Sequence, residues 1–152
     1  MTSADAASLV VVDTNVLLAA TDRSRDSYRA ATDLFNEDER RLAITPQIVR
    51  EYLAVATRSL EVNGLGLVAK DAVANLQQFL DDMKLLNEDA STTRLLLDLI
   101  GGVPAAGKQV HDANVVSVAV AHRAVAIITD NTRHFSRFAE LIAIEGLSAA
   151  ST

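Results

Sequence analysis

A chain of 152 residues without a cysteine cannot carry a disulfide framework, a zinc–thiolate site or a cysteine nucleophile. Apolar residues make up 49% of it, enough for one well-buried core, but aromatics are only 4%, so that core is built of Ala, Val, Leu and Ile. A net charge of −6 argues against the broad basic surface of a general nucleic-acid binder, yet acids gathered around a cation would be neutralised locally, which leaves a metal-dependent nuclease open.

Leu9–Val12 is a run of four apolar residues, three of them β-branched, which suits a strand buried on both faces. Asp13, Thr14 and Asn15 offer N-cap chemistry for a helix through residues 16–20. The same stretch could be taken for a signal-peptide core, but Asp13 and Asn15 interrupt it and no basic residue precedes it. No run approaches the roughly 18 apolar residues of a membrane span, so a soluble, cytoplasmic protein is expected. Ser24, Arg25 and Asp26 start a second helix with an apolar stripe of Tyr28, Ala31, Leu34 and Phe35.

Residues 42–45 read as a second strand, and Pro46 opens a helix to about residue 60. A loop at 63–66 precedes a helix over 68–83, with apolar positions at Val68, Ala72, Val73, Leu76, Phe79 and Leu80. Residues 85–86 form a short strand. A helix over 92–100 is stopped by Gly101 and Gly102, and a loop at 103–107 leads into a helix over 111–124. Ala126–Thr129 is a strand, 141–144 the last one, and 148–152 should fray. Strands alternating with helices give a single α/β domain with a mainly parallel sheet.

Four acidic or amide positions interrupt this pattern. Asp13 ends the first strand. Glu51 lies three residues after Ile48 and four before Val55, on the stripe those residues share with Tyr52. Asp112 precedes the apolar face Val115, Val116, Ala119. Asp130 and Asn131 follow the strand at 126–129. Each alone has an ordinary explanation: a helix cap, an ion pair of Glu51 with Arg58, a turn. Together they fall where a parallel sheet collects ligands, beyond the carboxyl ends of its strands. Several carboxylates so placed are costly unless a hard cation joins them, and oxygen donors without His or Cys suit Mg²⁺ or Mn²⁺.

The segments Val11-Val12-Asp13-Thr14-Asn15-Val16-Leu17-Leu18, Glu51 in its Pro46-opened helix, His111-Asp112-Ala113-Asn114 and Ile128-Thr129-Asp130-Asn131-Thr132-Arg133-His134-Phe135 resemble the PIN-domain ribonucleases. Within that family the likeness is to the VapC-type toxins of bacterial type II toxin–antitoxin pairs, and it covers nearly the whole chain. The resemblance implies one PIN-like domain over residues 1–152, a three-layer α/β fold with a mainly parallel central sheet flanked by helices. It implies metal-dependent hydrolysis of RNA phosphodiester bonds, leaving a 5′-phosphate. Asp13, Glu51 and Asp112 match the family's metal-site acids, with Mg²⁺ or Mn²⁺ as cofactor. Asp13 and Asp112 would be the main ligands, and Glu51 would bind directly or through water. The fourth place falls on Asn131, counted from Thr129 and Phe135, or on the adjacent Asp130, which would position the attacking water or a second ion. Thr14 and Asn15 match positions that orient the first acid or a bound water.

The resemblance also implies an antitoxin partner that inserts a positively charged segment into the acidic pocket, and a homodimer, for which Leu95, Leu96 and Leu97 offer an apolar face. Lys108, Arg133 and Arg50 are the candidate cations for RNA. His111 and His134 flank the site and are read as partly exposed structural groups, and His122 as surface. Two other classes compete. A phosphoacceptor receiver domain needs paired acids after its first strand and a late Lys, whereas Asp13 stands alone and no Lys follows Lys108. A non-catalytic PIN-like binding module would follow from a weak fourth ligand.

Overall fold

The apolar runs become a five-stranded, wholly parallel sheet in the computed structural model, which describes residues 7–147. Its strands are β1 (Leu9–Val12), β2 (Arg41–Ile44), β3 (Lys84–Leu85), β4 (Ala126–Thr129) and β5 (Ala143–Gly146), in the spatial order β3-β2-β1-β4-β5. In β1, Val10, Val11 and Val12 are completely buried, because helices cover both faces of a parallel sheet and leave no side for polar residues. Val10 lies beside Leu42 of β2 and Ala126 of β4, so the central strand is walled by apolar neighbours on each side.

Six helices flank the sheet: α1 (Thr14–Thr21), α2 (Tyr28–Glu37), α3 (Pro46–Thr57), α4 (Ala69–Asp82), α5 (Ala90–Gly102) and α6 (Lys108–Ala121). Right-handed crossovers from β1 through β2 to β3 carry α1–α4 over one face, and the return to β4 carries α5 and α6 over the other. The packing follows that division: α1 contacts α2 and α3, α3 contacts α4, and α5 lies on α6. This is the three-layer α/β arrangement expected. Among the described residues no helix is long and apolar enough to cross a membrane.

Several boundaries differ from the periodicity. Helix α5 runs through Gly101 and Gly102 instead of stopping at them; both are exposed, and neither needs a left-handed backbone. It begins at Ala90 because Asp89 forms a capping box with Thr92. Helix α6 starts at Lys108, three residues early, after Gly107 turns the chain at φ 60°. Helix α2 waits until Tyr28, since the Asp22 carboxylate accepts from the Ser24 N–H and hydroxyl and holds the preceding residues in a turn. The last strand lies two residues later than its apolar pattern, at Ala143–Gly146. Val68 and Val73 are exposed, since α4 presents only a narrow face, with Ala72 and Leu76 buried. The expected fraying at 148–152 lies outside the described residues.

Helix α3 ends at Thr57, and a short 3₁₀ turn, Leu60–Val62, leads into a tight reversal. There the N–H groups of Gly64 and Gly66 donate to the carbonyls of Ser59 and Arg58. A Cβ on Gly64 would overlap the Arg58 carbonyl, whose position the Gly66 bond fixes. Gly64→Ala is expected to destabilise the protein by on the order of 3 kcal/mol in urea titrations. An unchanged midpoint would show that the reversal opens freely.

Candidate active site

β1 and β4 are neighbours whose chains depart in opposite directions, and the crevice beyond their carboxyl ends is where α/β sheets bind ligands. Asp13 stands there as the first residue after β1. Its N–H extends the ladder to Ile128 O (2.9 Å). Its carboxylate caps α1, with Oδ1 accepting from Thr14 N (2.8 Å) and Oδ2 from the Thr129 hydroxyl (2.9 Å). Thr129, the buried last residue of β4, also accepts from Asn131 N and Asn15 Nδ2. Asn15 Oδ1 accepts from Asp130 N (3.0 Å). The expected orienting role of Asn15 is thus played on the end of β4.

Glu51 and Asp112 come from α3 and α6, and one buried residue links them. Gln47, four residues before Glu51, donates from Nε2 to Glu51 Oε1 (3.0 Å) and to the His111 carbonyl (3.0 Å). Its Oε1 accepts from Asn114 Nδ2 (2.9 Å), which also donates to Glu88. Glu51 is not on the core side of its helix. Ile48 and Tyr52 fill the core, and Glu51 projects from the flank into solvent, partnered by Gln47 rather than Arg58.

The three acids line one cavity of about 600 Å³, together with Thr14, Asn15, Lys108, Gln109, His111, Arg133, His134 and Arg137. Burial pushes the Asp13 pKa up to about 6, against the pull of the Thr129 and Thr14 hydrogen bonds, and the charges of Glu51 and Asp112 push the same way. Some of Asp13 still meets solvent, although protein atoms crowd its carboxyl. Asp112 is raised by burial and by Glu51, while His134, His111 and Arg137 hold it down.

Among the described residues no three His, Cys, Asp or Glu side chains stand at metal-gripping distance. Asp13 and Glu51 are each tied to neutral partners. The donor set nevertheless fits a hard divalent cation: carboxylate oxygens from three elements and, beside Asp13, a buried Thr14 hydroxyl with no partner among the described residues.

The other expected residues divide. Asp130 is exposed and lines a separate cavity with Arg25 and Arg29. Side chains alternate along a strand, so once Thr129 faces Asp13 its successor faces away. Asn131 caps a 3₁₀ turn, its side chain accepting from Arg133 N (3.2 Å) and bonding His134 Nε2 (3.1 Å), and its N–H donates to the Thr129 hydroxyl that bonds Asp13. Lys108 and Arg133 line the cavity, whereas Arg50 does not. His111 and His134 are exposed at its edge. His122 is not a plain surface group: it is half-buried, with Nε2 2.8 Å from the Asn87 carbonyl. The structure adds Gln47, Asn114, Thr129 as a partner of Asp13, and Arg137 to the residues expected from sequence. Only Gln47 carried a local signal, its spacing of four from Glu51.

The PIN domain sequence profile matches residues 10–141. The chain belongs to the PIN domain family. No curated protein matches it. Solved structures similar to this PIN domain include VapBC2 from Rickettsia felis bound to a fragment of promoter DNA (TM-score 0.65, 21% identity, covering 91% of this chain and 98% of that one). VapBC-1 from nontypeable Haemophilus influenzae has a TM-score of 0.64 at 14% identity, covering 92% and 98%. VapC20 of Mycobacterium tuberculosis, a sarcin–ricin loop cleaving toxin, has a TM-score of 0.63 at 15% identity, covering 78% and 86%. At such identities the likeness establishes the fold.

Two outcomes are expected of this PIN domain's site. Gln47→Leu should weaken Mn²⁺ binding about 10- to 100-fold in calorimetric titration, because Glu51 loses the donor that orients it. Wild-type affinity in that variant would remove Gln47 from the site. Asp13→Asn should stabilise the metal-free protein at pH 8 by about 1 to 3 kcal/mol, a rise of roughly 3 to 8 °C in Tm. With its pKa raised from 3.8 to about 6, Asp13 favours folding most below pH 4, and that contribution is lost as the pH climbs through 6. The advantage of Asn should therefore shrink towards pH 4 in melts with EDTA, and an advantage independent of pH would contradict the assignment.

Proposed function

We propose that this PIN domain is a divalent-metal-dependent endoribonuclease and the toxin of a toxin–antitoxin pair. The observation that carries the reading is the meeting of Asp13, Glu51 and Asp112, from three separate elements, in one cavity that also holds Lys108, Arg133 and Arg137. Acids to hold a cation and bases to hold a phosphate backbone are what hydrolysis of an RNA strand requires in one place.

Asp13 and Asp112 would be the principal ligands of Mg²⁺ or Mn²⁺, with Glu51 completing the set. A bound ion would lower the pKa of a water and offset charge developing on the phosphodiester. The chain's own groups prepare the place. Thr129 and Thr14 N–H hold Asp13 towards the crevice, Gln47 holds Glu51, and the Thr14 hydroxyl, without a partner among the described residues, can donate to an oxygen arriving beside Asp13. In this reading Asn131 would position His134 at the cavity edge, and Asp130, which lines a neighbouring cavity, would not be a ligand.

The toxin assignment draws support from the similar structures, which include VapBC2, VapBC-1 and the sarcin–ricin loop cleaving toxin VapC20. An antitoxin would present a cationic segment to the acid cavity, where charge complementarity favours it. Homodimerisation would use α5, where Leu97 is 67% exposed and where, on another side of the helix, Leu95 and Leu99 line a groove with Val116 and Val120. RNA as the substrate places this work in the cytoplasm. A second reading, a PIN fold that binds RNA without cutting it, draws on the separation of the three acids.

The deciding experiment is RNA cleavage with Mn²⁺ or EDTA, by wild type, Asp13→Asn and Asp112→Asn. Wild type should cut only with metal, and each variant should lose at least about 100-fold in kcat. Equal cutting by all three would place the chemistry elsewhere. Binding without cutting, with metal present, would favour the second reading.

A further inference from the structure

We propose that Arg137 forms a pre-oriented phosphate-binding subsite that holds the RNA backbone within the acid cavity, an inference that rests on the RNA-nuclease reading above. Arg137 sits on the short 3₁₀ turn Ser136–Phe138, between Phe135 and Phe138, both completely buried. Two anchored rings leave the turn no freedom to slide. The guanidinium is fixed as well: Nη1 donates to the Pro104 carbonyl (2.8 Å) and to Gln109 Oε1 (2.9 Å). Gln109 Oε1 is itself held by the Ala106 N–H (3.0 Å), so the acceptor cannot swing away.

What Arg137 lacks is equally informative. Among the described residues it joins no ion pair, although its charge reaches Asp112 in the same cavity. Arg40 shows how this chain treats a structural guanidinium: it is clasped by both Asp38 and Glu145. Arg137 is instead oriented by two neutral acceptors, and its Nε and Nη2 make no hydrogen bond among the described residues. A planar guanidinium with its charge intact and Nη1 committed offers its remaining donors, Nε and Nη2, to a planar or tetrahedral anion, and a phosphodiester is the anion a nuclease meets. Lys108 and Arg133 border the cavity too, but their side chains make no hydrogen bond or ion pair among the described residues, so they add attraction without position.

The test is binding of a fluorescent single-stranded oligoribonucleotide to the full chain in EDTA, where no cleavage occurs, across a KCl titration. Arg137→Gln should weaken binding about tenfold and flatten the slope of log affinity against log salt by about 0.7, the mark of one lost phosphate contact. Arg137→Lys should keep the slope and lose affinity a few-fold, as should Gln109→Leu, which leaves the charge but removes its strut. A merely structural role would weaken binding without altering the slope. Arg137→Gln with the wild-type slope overturns the proposal. Should Arg137→Gln fail to fold by circular dichroism, the other two variants decide it, and wild-type affinity in both overturns it. A wild type that binds RNA with this Arg137 dependence yet never cuts it with Mn²⁺ would sink the nuclease reading while leaving the subsite standing.

Discussion

The parallel pairing of β1 with β4 is the constraint on which the rest depends, because it carries Asp13 to the end of a strand 116 residues away. The ladder does not stop at the strands: the Asp13 N–H adds one more rung to Ile128, and the Thr129 hydroxyl closes the contact from the side. Both strands are buried, so a slip of one residue would turn Thr129 away from Asp13 and expose apolar side chains at once. The start of α1, the orientation of Asn15 and the direction of the Asp13 carboxylate all follow from that register.

Around this junction the molecule holds groups that stability alone would not choose. Burial holds the Asp13 carboxyl above the usual carboxylate range, Glu51 and Asp112 add like charge, and the Thr14 hydroxyl is buried without a partner among the described residues. Neutral donors restrain the two acids at residues 13 and 51, so neither is cancelled by a base. Sites that violate the rules of a well-satisfied interior are where function is expected, and this chain concentrates its violations beyond the ends of β1 and β4.

The basic groups obey the same logic. Arg40 is neutralised by two carboxylates, whereas the cations of the acid cavity stay unpaired among the described residues, and only Arg137 is held in a fixed direction. Acids and bases thus share a cavity without consuming one another, because hydrogen bonds to carbonyl and amide oxygens orient Arg137 in place of ion pairs.

What the sequence determined by itself was local. A run of four apolar residues is a buried strand, a carboxylate after it caps a helix, a proline opens the next helix, and an acid beside an apolar stripe marks a costly position. These signals lie within a few residues of one another and survive without knowledge of the partner elements. What only the tertiary structure decided was direction and company. Glu51 shares a stripe with Ile48 and Tyr52 yet faces solvent, because the core takes those two residues and leaves it the flank. Asp130 follows the right strand but faces a different cavity, because its neighbour Thr129 claims the side towards Asp13. Gln47 meets His111 across 64 residues and Arg137 meets Pro104 across 33, contacts that no local periodicity encodes. Side-chain direction is set by which elements pack together, and that packing exists only once the chain has closed on itself.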